Sequence, residues 1–189
     1  MKYKLDPIDL EDDLEGWAFL HFHTSLPSYA FADILNQLYD FQLHRIDNLD
    51  IDGTQWPLFH HIDTVAHLKY YLLERPPAAP IWNTGDMILV MSGDTAQLAA
   101  ERLYADLSTP TQPNPTDLLA LQHTDLLEQL FSAFTVASTI SFSDTTPLSR
   151  KAQKERAATQ QYCNRIIEAF DKRYLDLADE ERMIQLKQS

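Results

Sequence analysis

The sequence predicts an α+β fold: an antiparallel or mixed sheet with helices packed on one face, followed by a long C-terminal helix. Three observations lead there. Short β-type runs such as WAFLHFH, WPLFHHID and DMILVM recur between turn-forming residues, apolar positions three and four apart mark intervening helices, and a charged helical stretch closes the chain. With 189 residues and 44% hydrophobic content the chain can bury one sizeable core, so residues 1–150 are read as one domain and 151–189 as a helical extension.

Residues 6–16 open as a solvated lead-in, because Asp6, Asp9, Glu11, Asp12, Asp13 and Glu15 repel one another. Trp17 to His23 is the first strand, ended by Thr24, Ser25 and Pro27, which suit the first turn of a helix. That helix buries Phe31, Ile34, Leu35 and Leu38 on one face. FQLHRIDNLDI alternates loosely as a second strand, and Asp52 and Gly53 supply a turn. WPLFHHID and TVAHLKYYLL form an antiparallel hairpin about Asp63 and Thr64. ERPPAAP is excluded from helix by its three prolines and delivers the chain to DMILVM, a central strand. Gly93 and Asp94 then lead into a helix over TAQLAAERLYADL, on which Leu98, Arg102 and Ala105 share one side.

STPTQPNPT, residues 108–116, is a loop with three prolines. Asp117 to Phe134 is helical with Leu119, Leu126, Leu127, Leu130 and Phe134 inward, and TVASTISFS is a β-branched strand. From Ser149 onward runs the long helix, whose apolar stripe is Cys163, Ile166, Ile167, Phe170 and Tyr174.

Charge narrows the partners. The chain has 28 Asp and Glu against 15 Lys and Arg, a net charge of −13 with His neutral, so it lacks the basic surface that holds phosphate backbones and anionic lipid. Neither nucleic acid nor membrane is therefore expected. The opening MKYKLDPIDLEDDLEG has no apolar signal core, and no segment approaches the roughly 18 uninterrupted apolar residues of a spanning helix. A cytoplasmic protein is expected. Cys163 is the single cysteine, so neither an internal disulfide nor a thiolate zinc cluster can form.

Few motifs carry chemistry. His21 and His23, two apart on a strand, share a face, and His60 and His61 lie on the hairpin with His67; imidazoles converging from neighbouring strands would make a zinc or iron site. The alternative is ordinary surface or partly buried histidine. NLDIDG resembles the start of a calcium loop, but Phe59 stands where the bidentate Glu belongs. With no GxSxG elbow and only Gly16, Gly53, Gly85 and Gly93, neither a serine nucleophile turn nor a glycine-rich phosphate loop can be assembled. Cys163 falls on an apolar stripe, where a thiol acts as a small hydrophobe. Trp56 and Trp82 could wall a small-ligand site, although aromatics at such spacing are usually core.

The stretch APIWNTGDM followed by ILVMSG resembles the signature of the IPExxxVDY family, small bacterial proteins of unknown function. Pro80 and Asp86 match in identity and spacing, whereas Ile81, Gly85 and Met87 replace the signature Glu, Val and Tyr. SYAFADILN, with Tyr29 and Asn36 seven apart, is similar to that family's Asp-Tyr to Asn helix, and ISFSDTTPLSRK to its closing segment. The resemblance spans about residues 20–151 and implies no activity, cofactor or catalytic residue. On physical grounds Pro80 fixes the strand approach, and Asp86 accepts backbone N–H groups at the strand entrance.

These observations lead to an expected non-catalytic protein-interaction or regulatory module, without a cofactor. It would self-associate as a homodimer through a sheet edge or through the stripe from Cys163 to Tyr174. The alternative is a metal-binding protein or metal-dependent enzyme using His21, His23, His60 and His61.

Overall fold

A computed structural model describes residues 16–24, 26–77, 86–108, 134–139 and 150–188. Its strands are β1 (Trp17–Thr24), β2 (His44–Ile51), β3 (Thr54–Asp63), β4 (Leu68–Glu74), β5 (Met87–Ser92) and β6 (Phe134–Thr139). They form one sheet in the order β2-β3-β4-β5-β1-β6, and every neighbouring pair is antiparallel. The described helices are α1 (Ser28–Tyr39), α2 (Ala96–Ser108) and α3 (Arg150–Gln188). The architecture is α+β.

Two-residue alternation splits the strands between two cores. Leu20, Phe22, Leu72, Leu89 and Met91 face one side, where they meet Phe31 and Leu35 of α1 and Ala100 and Leu103 of α2. Phe19, Leu58, Tyr71, Ile88 and Val90 face the other, where they meet Tyr162, Cys163, Ile166 and Phe170 of α3. The run Met87 to Met91 is wholly buried because both faces of its strand are covered.

The C-terminal stripe is therefore core, not a free interface. Cys163 and Ile166 are fully buried, Ile167 and Phe170 nearly so, and the Phe170 ring packs on Tyr71 at 4.4 Å and Trp17 at 5.8 Å. The reason is that the sheet's second face is itself apolar, so the nearest partner for the stripe is within its own chain. Tyr174 belongs to α3, but its side chain lies outside the described residues.

Other boundaries shift in instructive ways. β4 begins at Leu68, not Thr64, because Asp63 Oδ1 accepts the N–H groups of Val65 and Ala66, each at 2.9 Å, and draws the turn out to His67. Phe134 begins β6 and does not end a helix. On α2 the inward row is Ala96, Ala100, Leu103 and Leu107, whereas Leu98, Arg102 and Ala105 are exposed. The proline-rich loop beyond Ser108, the helix expected before Phe134, and Pro80 and Trp82 lie outside the described residues. Trp56 is core.

Gly93 sets α2 against the hairpin. Its φ of 141° is open to glycine, and a Cβ there would stand 2.5 Å from the His67 carbonyl oxygen. The chain thus turns from β5 into α2 directly beside the end of the β3–β4 turn.

Candidate functional site

An apolar groove lies where α2, the β3–β4 turn and the chain after α1 fail to close over the sheet. Three local features build it. α2 presents alanines toward the sheet, so its layer is thin beside the turn. The Asp63 turn sets Ala66 at one wall and leads into Leu68. Behind α1, Asp40 takes the left-handed conformation, with φ 55°, and ends the helix, and the side-chain amide of Asn36 then clamps the following segment. Asn36 Nδ2 donates to Leu43 O at 3.0 Å and Leu43 N donates to Asn36 Oδ1 at 2.8 Å, which fixes Phe41 with its ring 4.6 Å from that of Tyr70.

The cavity is about 350 Å³, floored by Phe41, Leu68, Tyr70, Ala99 and Leu103. That lies at the lower end of the roughly 300–1,000 Å³ of ligand pockets. Its apolar surface continues outside, since the lining residue Leu98 is 48% exposed. Tyr39, Arg102 and Asp106 give the rim its polar groups. Burial, reinforced by Asp106, pushes the Tyr39 phenol well above its ordinary range, so it stays a neutral hydroxyl. Burial and then Asp63 push Tyr70 in the same direction. Among the described residues Arg102 makes no ion pair.

The histidines proposed as metal ligands do not converge. His60 alternates with Leu58 toward α3, and His61 alternates with Phe59 toward α1 and α2. His21 is buried on β1 and His23 is exposed there, with β4 and β5 between them and β3, a separation of about 14 Å at the usual strand spacing. No group of three or more His, Cys, Asp or Glu able to hold a metal ion occurs among the described residues. What the sheet does bring together is His60 and His44, cross-strand partners with ring centroids 5.9 Å apart. Two imidazoles supply half the ligands of a structural zinc site. His60 Nε2 is buried without a hydrogen-bond partner among the described residues, its ring stacked on Tyr71 at 5.0 Å.

The motif residues serve the frame. Asp86 N donates to Phe22 O at 2.7 Å, and Arg75 N donates to Asp86 O at 2.8 Å. Its carboxylate accepts Arg75 Nη2 at 3.1 Å and Thr24 N at 3.3 Å, and His23 Nδ1 stands 3.8 Å away. One side chain thereby ties the ends of β1, β4 and β5, as expected of an acceptor at a strand entrance. Tyr29 is exposed on α1, and Asn36 is the groove clamp.

The β2 edge is closed to strand addition along its bulge. The pairing register slips between Ile46 and Leu49, and Arg173 Nη1 donates to the carbonyls of Asp47 at 2.9 Å and Asn48 at 3.4 Å. A bulge and a guanidinium on free carbonyls are devices that block edge pairing. No helix among the described residues is long and apolar enough to cross a membrane.

The groove escaped the sequence reading because its residues come from distant segments, and Leu98 was the one signal of it. A leucine on the outer side of an alanine-rich helix has no place in that helix's own core.

Comparison with family models, with curated proteins and with solved structures finds no match for this chain.

Proposed function

We propose that this protein is a non-catalytic interaction module whose docking surface is the groove between α2 and the β3–β4 turn. The observation that carries the reading is the continuity of apolar surface from the cavity floor out to the half-exposed Leu98. A site for a small molecule encloses most of its ligand, whereas an apolar rim standing in water fits a protein segment that lays side chains into the cavity and covers the rim. Self-association through α3 or the β2 edge is not part of this reading, because the stripe is spent on the core and the bulge carbonyls are occupied.

Selection of a random-peptide library on the wild-type protein tests it, with two variants as counter-screens. Ala99→Trp fills the cavity, and Leu98→Ser removes rim surface at a stability change within about 0.5 kcal/mol, since that side chain is half in water. Enriched peptides should lose binding to both variants. A library that yields no peptide sensitive to either change overturns the reading.

A further inference from the structure

Carboxylates border the apolar floor of the groove. Asp106 lines the cavity itself, and Asp40 sits between Tyr39 and Phe41, which both line it. Asp63 is the cross-strand partner of Leu68 on the floor. Asp40 and Asp63 both act on His61, whose ring stacks on Phe41 and Tyr70. Two further carboxylates thus stand near the cavity besides Asp106, and Arg102 is the one Lys or Arg among the described lining residues. The field reaches the lining groups: Asp106 acts on Tyr39, and Asp63 acts on Tyr70. Asp63 is held ionised by the N–H groups of Ala66 and Val65, which lower its carboxyl below the ordinary range.

Resting on the docking reading above, we infer that the groove's partner is a basic amphipathic protein segment: large apolar side chains enter the cavity while flanking lysines or arginines meet Asp40, Asp63 and Asp106. An apolar floor selects the anchor, and the bordering carboxylates select the flanks, steering encounter and rejecting acidic competitors. A second copy of this chain does not fit that description. It carries −13 net charge, and its densest basic run, RKAQKER at residues 150–156, has no large apolar side chain to serve as an anchor.

The test uses two synthetic peptides, each with leucine anchors, one flanked by lysines and the other by glutamates at the same positions. Both are titrated by fluorescence anisotropy against the full-length protein at low and high salt. The lysine peptide should bind about tenfold or more tighter at low salt, with the margin shrinking at high salt. The double variant Asp40→Asn, Asp106→Asn should narrow the margin, and Ala99→Trp or Leu98→Ser should weaken both peptides. Equal binding of the two peptides, still lost on Ala99→Trp or Leu98→Ser, overturns the basic partner and leaves the groove standing. Binding indifferent to both groove variants overturns the docking reading and, with it, this inference.

Discussion

The two faces of the sheet are both apolar, and they end differently. On one, α3 lays Cys163, Ile166 and Phe170 flat against Tyr71, Ile88 and Val90, and aromatic rings seal the contact from Trp17 across to Tyr71. On the other, α1 and α2 cover Leu20, Leu72 and Leu89, yet leave a cavity of about 350 Å³ beside Tyr70. Bulky inward side chains close the first face. Alanines at positions 96, 99 and 100 keep the second layer thin. The helix with bulky inward side chains lies on the closed face, and the alanine-rich one borders the cavity.

The comparison breaks most sharply at Ile166. Ile166→Asp places an unpaired carboxylate in the sealed face and should cost about 4 kcal/mol or more, a large part of a domain's stability, as measured by urea denaturation. Retention of near wild-type stability with a change only in assembly would mean that α3 packs on a partner after all. Gly93→Ala comes next, at about 2–4 kcal/mol, because the new methyl meets the His67 carbonyl at a φ unsuited to alanine. Since that contact positions the turn beside α2, the variant should also weaken peptide binding to the groove while leaving the α3 face packed. An unchanged midpoint would show that the turn gives way freely.

The smallest effect is the pH response at the edge of the α3 face. Burial first, then His44 and Lys69, lower the His60 pKa below its ordinary 6.5. The unfolded chain therefore binds more protons below that value, so stability is complete above about pH 6.5 and declines as pH falls toward the depressed value. Thermal denaturation between pH 7.5 and 5 should show this slope, flattened in His60→Gln. Equal slopes in the two proteins would assign it to other groups. His61, lowered chiefly by burial, contributes with the same sign from the opposite face.

Much of the frame was legible. Alternation and short apolar runs placed β1, β3 and β5 to within a residue or two, and three- and four-residue spacing placed α1 and α3. The candidate site was not legible. Asn36 stood out only through a resemblance, and its clamp on Leu43 depends on where the chain turns after α1. His60 and His61 were adjacent in sequence and so looked like joint ligands, but adjacency on a strand sends them to opposite faces.

By itself the sequence determined the local periods, the acidic balance and the continuous apolar run of the central strand, because these are properties of neighbouring residues. It led to helices on one face of the sheet, whereas the structure covers both. Only the tertiary structure decided which helix sealed which face, which histidine met which, and where apolar surface remained uncovered. Those outcomes depend on strand order and on the volumes of side chains brought together from distant positions, and neither is written in any single segment.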